Sequence, residues 1–469
     1  MSASVAVIDV GKTNVRLSAA TPDGAIVETL STPNLSLPGP PYLHYDLPSM
    51  EAWLLDGLTA LGQRHPIRTI VACSHGSACV LVDDEGPVLP PVDYEQEAPE
   101  QLNRLYAELV GSFRERGSAI MGGASNMARQ LLWMETGSPE AFRRGRLLLG
   151  LPQYWAWRFG GEPASEMTLL GAQSHVWNVR DRRHTPIVVA RNWQHLIAPV
   201  RPAWESLGTL SPALARRTGL SPDTRLLCGL HDSSANFYRY QSAGLSDFTV
   251  VSTGTWIVLV SSAADCEAIS EARGMCCNAD VDGNPLAGAL VMGGREYSAV
   301  AGGRTTGPAD PAEVARMVAD GTIALPSFSY DEGLFPGRAH RGCILGPAPG
   351  TAERRHALAV LYAALLTDAC LAALSRTGTI ILDGVFVTDP LYPALVAALR
   401  PGDSVLYNLE SYGTAAGCAL LVEHARRTAP VHLALKTPDR LEIPGLAAYR
   451  ERWFALASAA PEPAPMETQ

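Results

Sequence analysis

The stretch AVIDVGKTNVRLSA spans residues 6–19. An apolar run closes on Asp9, Val10 and Gly11 follow, and Lys12-Thr13-Asn14 lead into a second apolar run. Gly-Lys-Thr is how a phosphate-binding P-loop ends. That loop needs a glycine five residues before its second one, and Ala6 holds the position. The spacing predicts instead strand, tight turn, strand: Val5 to Val10, Gly11 to Asn14, Val15 to Ala19. Such a turn still suits a phosphate, because glycine permits close approach and the backbone N–H groups and the Thr13 hydroxyl are donors. Asp9 would stand beside that phosphate. An acid facing a phosphate implies a metal ion between them, so Asp9 is the candidate metal ligand. An ordinary hairpin turn fits the same residues.

The chain has 469 residues, enough for two large domains or three small ones. It is 47% hydrophobic and 18% charged, so a packed core is expected. A net charge of −10 argues against a nucleic-acid partner, which needs a broad basic field. Lys12 and Lys436 are the only lysines, so a lysine in the first turn carries information. The N-terminus enters a strand at once, without the pattern of a signal peptide, and no apolar run is expected to span a membrane. Nine cysteines without framework spacing suggest reduced thiols and a cytoplasmic location. The Pro/Ala-rich end, SAAPEPAPMETQ, is expected to be a disordered tail over 456–469.

Residues 1–100 read as β-rich, with strands at AIVETLS, TIVACSHG and ACVLVDDEG and a helix at MEAWLLDGLTALGQR. Residues 101–225 read as mainly helical. The opening pattern then restarts. In DFTVVSTGTWIVLVSS, residues 247–262, Gly254 falls where Gly11 does, between two apolar runs, and Thr253 and Thr255 flank it. A hairpin-led α/β half thus occurs twice. Two such halves facing each other could clamp one nucleotide's phosphates across a cleft, as in actin-like ATPases and sugar kinases.

Between the halves lies CGLHDSSANFY, residues 228–238. LLCGL reads as an apolar strand that ends at His231-Asp232, and the serines after it can cap a helix. Phosphoryl transfer to an alcohol needs a carboxylate to orient the hydroxyl and take its proton, together with a metal on the phosphates. Asp232 suits the first role and Asp9 the second. Helix capping alone would also explain Asp232.

These blocks, in this order and over most of the chain to about residue 425, resemble the FGGY carbohydrate kinases, in particular the rhamnulose/fuculose kinase branch. DVGKTN looks like the first phosphate turn of the family and VSTGTW like the second. GLHDSSA looks like its catalytic block. LPQYWAWRFGGEPASEMTLLGAQSHVWN looks like the segment in which a Pro-led aromatic helix precedes a glycine turn and a Glu-x-Thr. DGVFVTDPLYPALVAAL and ESYGTAAGCALL fall where the adenosine is held. The resemblance implies two actin-like, ribonuclease H-like α/β domains with a nucleotide cleft between them: residues 1–227 for sugar and the first turn, 228–455 for the second turn and adenosine. It implies ATP-dependent phosphorylation of a ketose or polyol hydroxyl, with ATP and Mg²⁺ as cofactors. Asp232 would be the general base. Gly11, Lys12, Thr13, Asn14, Thr253, Gly254 and Thr255 would hold phosphates, and Gly384, Thr388 and Gly413 adenosine. His75, Gly76, Tyr94, Gln96, His231 and Asp232 would meet the sugar, with Glu95 and Gln173 as further candidates. Asp383-Gly384-Val385 stands where the family has three glycines, and Ala78 where rhamnulose kinases carry an acid. The sugar remains open, as does the oligomeric state, a homodimer included. Two other classes stay in view: an actin-like ATPase without a sugar, and a silent sugar-binding protein on the kinase fold.

Overall fold

The computed structural model describes residues 3–303, 307–329, 334–410 and 412–459. The chain forms two units. One comprises Met1–Ser246, Cys277–Leu286 and Glu410–Leu433, and the other Asp247–Cys276, Ala287–Leu409 and Ala434–Gln469.

The first unit is built on a seven-stranded sheet. Its order is Ser206–Thr209, Arg225–Leu227, Thr69–Ser74, Val5–Val10, Asn14–Ala20, Ile26–Pro33, with Leu230–His231 also paired to Thr69–Ser74. Val5–Val10 runs antiparallel to Asn14–Ala20, with Asp9 opposite Arg16, and parallel to Thr69–Ser74, with Val10 opposite Ser74. Every residue of Val5–Val10 is buried, as a strand covered on both faces requires. The crossover to Thr69–Ser74 is the helix Leu47–Arg64. The Asp46 side chain caps it by accepting the Ser49 N–H, and Pro48 sits in its first turn. Its Leu54, Leu58 and Leu61 join Ile8 and Leu17 in one apolar cluster.

The second unit repeats this plan. Its sheet order is Met275–Ala279, Pro285–Val291, Ile257–Ser261, Phe248–Thr253, Thr379–Gly384, Val405–Tyr407. Phe248–Thr253 is antiparallel to Ile257–Ser261 and parallel to Thr379–Gly384, and Thr379–Gly384 is parallel to Val405–Tyr407. In each half, then, a central strand pairs with its own hairpin partner on one side and with a parallel crossover strand on the other. Gly11 and Gly254 each follow a central strand. This is the ribonuclease H-like order, occurring twice.

Two expectations change. No apolar run was expected to reach membrane length, yet the helix Ala352–Ala373 does so by length and composition. Ninety-four per cent of its most apolar window is buried inside the protein, where Leu358, Leu361, Leu365 and Leu371 pack in the core of the second unit. Its apolarity reflects burial on all sides. The expected tail from 456 begins within the helix Leu446–Ser458, and residues 460–469 lie outside the described part.

Candidate active site

In the first unit, the Gly11–Asn14 turn is closed by the Gly11 N–H donating to the Asn14 carbonyl at 3.0 Å. Asn34 braces it: its Nδ2 donates to the Gly11 carbonyl at 2.8 Å, and its N–H to the Thr13 carbonyl at 2.9 Å. Thr13 is exposed and Asn14 begins the second strand. Lys12 is held from outside the turn. Its ammonium donates to Asp93 Oδ2 at 2.7 Å, stands 4.0 Å from Glu95 Oε2, and lies 5.3 Å and 5.7 Å from the Tyr45 and Tyr94 ring centres. A carboxylate and two aromatic faces outcompete an open turn for that charge.

Asp9 is 9% exposed, with Arg16 Nη1 3.7 Å from its Oδ2. Burial, reinforced by the charge of Asp232, pushes its carboxyl up to about 6. Among the described residues no group of three or more His, Cys, Asp or Glu could hold a metal alone. One carboxylate does fit a magnesium ion whose other ligands are phosphate oxygens and water.

The loop after Thr69–Ser74 carries His75. Its Nδ1 donates to the Gly76 carbonyl at 2.6 Å, which leaves Nε2 as the bare ring nitrogen, buried and without a partner. The ring lies 5.6 Å from Tyr45 and 5.3 Å from Tyr94. Burial lowers its basicity, against the raising effects of the Gly76 carbonyl and the Asp232 charge. A Cβ on Gly76 would come within 3.2 Å of Ala172 and 3.5 Å of His231 Nε2, so only a small residue lets these loops meet. Gln96 does not offer its amide to a ligand. That group is spent on the Leu43 N–H and carbonyl at 3.0 and 2.6 Å and on the Asp93 carbonyl at 2.8 Å. Gln173 donates to Asn278 Oδ1 at 3.0 Å.

LLCGL is not one strand. It breaks into Arg225–Leu227 and Leu230–His231 around Gly229, whose φ is +78° and whose Cβ would lie 2.2 Å from the Ala72 carbonyl oxygen. The helix Asp232–Ser242 follows directly. The serines do not cap it. Instead Asp232 Oδ1 accepts the Ser233 N–H at 2.5 Å and the Ser233 hydroxyl at 3.1 Å. His231 Nε2 stands 3.2 Å from Asp232 Oδ1. Burial pushes His231 down to about 4, so its ring is neutral, and raises the Asp232 carboxyl above its ordinary range despite His75. His75, Gly76, Tyr94, His231, Asp232, Asp9 and Lys12 thus gather in one region of this unit. Asp93, which sequence reasoning passed over for its neighbours, anchors Lys12 there. The signal was available: a lone lysine that packs among aromatic rings needs a carboxylate, and Asp93 directly precedes the candidates Tyr94, Glu95 and Gln96.

In the second unit, a cavity of about 880 Å³ opens beside the second turn. Gly254, Thr255 and Thr388 line it, with Tyr297, His356 and Phe386. A Cβ on Gly254 would meet nothing within 4 Å, so the turn presents open backbone. Thr253 faces inward: its hydroxyl donates to the Asp383 carbonyl at 2.7 Å and accepts the Phe386 N–H at 3.1 Å. Gly384 is required by packing. Its φ is +97° and a Cβ there would lie 2.1 Å from the Thr253 carbonyl oxygen. The Tyr297 and Phe386 rings lie 5.2 Å apart, and His356 Nε2 stands 3.4 Å from Asp389 Oδ2. Gly413 begins the helix Gly413–Leu420 and belongs to the first unit, apart from this cavity's lining. The segment MGGREYSAVAGG follows the strand Pro285–Val291 and, as the helix Gly293–Ala301, supplies Gly294, Arg295, Tyr297 and Ser298 to the cavity.

The doubled ribonuclease H-like order, with a glycine turn after each central strand, defines an actin-like two-domain protein. The description "FGGY family of carbohydrate kinases, N-terminal domain" matches residues 4–237, and "Carbohydrate kinase FGGY, C-terminal domain" matches residues 245–430. A carbohydrate kinase from Novosphingobium aromaticivorans is 31% identical in sequence and superposes with a TM-score of 0.83, covering 97% of this chain and 100% of that one. The chain belongs to the FGGY family of carbohydrate kinases. Ligand-bound xylulose kinase from Lactobacillus acidophilus shares the fold at 15% identity, with a TM-score of 0.79 and 97% of both chains covered. L-fuculokinase of Escherichia coli (strain K12) is 25% identical over 294 residues, which are 59% of this chain and 60% of that relative's length.

Proposed function

We propose that the protein transfers the terminal phosphoryl group of ATP to a hydroxyl of a small ketose or polyol. The observation that carries this reading is the grouping of Asp232 with His75. Asp232 heads a helix with its carboxylate partly buried, and His75 nearby keeps a buried, unpartnered nitrogen. A bare imidazole nitrogen is an acceptor, and an alcohol is the donor it lacks. Asp232 acts as the general base, holding the attacking hydroxyl and taking its proton. Asp9 would be the protein's ligand to Mg²⁺, which would supply neutralisation of phosphoryl charge. The nucleoside occupies the 880 Å³ cavity, its phosphates meeting the open backbone at Gly254 and Thr255. Lys12 belongs with the acceptor, fixed by Asp93.

The names of the relatives support a sugar acceptor, L-fuculose and xylulose kinases among them. Nine free cysteines agree with a cytoplasmic setting. The test is a screen of purified protein against ketoses, aldoses and polyols with coupled detection of ADP. An acceptor that raises ADP release severalfold above the sugar-free rate supports the reading. ATP hydrolysis that no polyol stimulates would mark an ATPase, and sugar binding without MgATP heat a silent binding protein.

A further inference from the structure

The Glu-x-Thr of ASEMTLLG, residues 164–171, has no part in the chemistry above, yet it is buried beside it. Glu166 is 1% exposed and caps the short helix Met167–Gly171. Its Oε1 accepts the Thr168 N–H at 3.0 Å and its Oε2 the Leu169 N–H at 3.1 Å. A cap needs no more than this. The carboxylate also accepts the Thr168 hydroxyl at 2.6 Å. Thr168 has one hydroxyl hydrogen, and Glu166 takes it. Its lone pairs are left to face outward, and one accepts the His231 N–H at 3.0 Å. His231 is the residue on which the Asp232 helix begins. A second buried side chain acts on the same segment: Gln153 Nε2 donates to the Cys228 and Gly229 carbonyls at 3.1 and 3.2 Å.

We propose that Glu166, acting through Thr168, is a positioning residue that sets the backbone of His231 and thereby aims the Asp232 carboxylate. This rests on Asp232 being the base of the reaction proposed above. The geometry exceeds what capping requires, because the hydroxyl's polarity is fixed in the one direction that serves His231. Burial pushes the Glu166 carboxyl up to about 7; in its ionised form it can only accept, so Thr168 donates to it and accepts from the His231 N–H. A glutamine at 166 can present either end to Thr168, and the direction is lost. Thr168 touches neither phosphate nor acceptor in this scheme, so its removal misaims the base without weakening either ligand. A misplacement of this kind lowers the rate by roughly 10- to 100-fold.

The experiment compares Thr168→Val, Thr168→Ser and Glu166→Gln with the parent on the best acceptor from the screen. Thr168→Val and Glu166→Gln are expected to lose roughly 10- to 100-fold in kcat, with KM for acceptor and MgATP within about threefold. Thr168→Ser, which keeps the hydroxyl, is expected to stay within about threefold of the parent. Each is repeated in an Asp232→Asn background, where Thr168→Val should add no further loss, since it acts only through that carboxylate. A kcat unchanged in Thr168→Val overturns the proposal. So does a loss that multiplies with that of Asp232→Asn, or one that falls equally on Thr168→Ser. Full activity of Asp232→Asn by itself would instead remove the base. Hydrogen exchange of the peptide 228–237 gives a readout without turnover and serves as well should Thr168→Val fold poorly. Glu166→Gln is expected to speed exchange there while leaving the helix Leu47–Arg64 unchanged, and unaltered exchange overturns the proposal.

Discussion

As the proposed base, Asp232 would have to be ionised to take a proton, and its surroundings make ionisation harder than in water. Burial raises its carboxyl, and His75 opposes only part of that rise. The acidic limb of kcat/KM against pH is therefore expected above the ordinary carboxylate value of 3.8. A limb at or below that value would mean that another group carries it. Asp232→Asn is expected to lower kcat by roughly 10²- to 10⁴-fold while the fold and MgATP affinity survive, as circular dichroism and calorimetry would show. Asp9 makes a separate prediction, for stability. Its folded-state carboxyl is raised from 3.8 to about 6. The stability this contributes is fully present below pH 3.8 and is lost as pH rises through about 6, to the extent of about 3 kcal/mol. Asp9→Asn should remove that slope from denaturant midpoints measured across this range. An unchanged slope would place the titration elsewhere.

Gly254, in the second turn, and Gly294, in the helix Gly293–Ala301 packed on it, differ in what they tolerate. At Gly254 a Cβ meets open space, so Gly254→Val should fold with the parent's melting temperature and bind ATP at least tenfold more weakly by calorimetry. Unchanged affinity would remove this turn from the phosphate site. At Gly294 a Cβ would lie 2.2 Å from the Gly254 carbonyl oxygen, which is backbone and cannot swing aside. Gly294→Ala is therefore expected to cost about 1–3 kcal/mol in thermal unfolding and to disturb the same turn. The turns at Gly11 and Gly254 were legible from the start. Each follows a fully or largely apolar strand and carries a glycine before a second apolar run, a local pattern that tertiary contacts reinforce. The cavity wall was not legible. Tyr297 lies on the helix Gly293–Ala301 and His356 on Ala352–Ala373, and helical spacing marks such residues as core without saying which line a space. The resemblance makes Lys12 a phosphate ligand; the ion pair it forms with Asp93, 81 residues away, is beyond the reach of any local pattern.

Across the entire chain the division of labour is what can be checked. MgATP at 100 times its dissociation constant is expected to stabilise the protein by about 2.7 kcal/mol and to slow hydrogen exchange in peptides containing Tyr297, His356 and Phe386. The acceptor should slow exchange around His75 and Tyr94 instead. The reverse assignment of the two ligands would overturn the reading of both units. The doubling of the sheet could be inferred from one glycine alignment, because strand order follows from the hairpin and its parallel crossover. The start of helix Asp232–Ser242 behind a strand broken at Gly229 could not, since nothing local announces that Ala72 comes so near. The scarcity of lysine has a practical outcome. Amine acylation has two side-chain addresses in this protein, Lys436, which is exposed, and Lys12, whose side chain is 12% exposed between two aromatic rings. The first label should arrive at once and the second slowly, so the delay of a single mass increment becomes a clock for how often that enclosure opens.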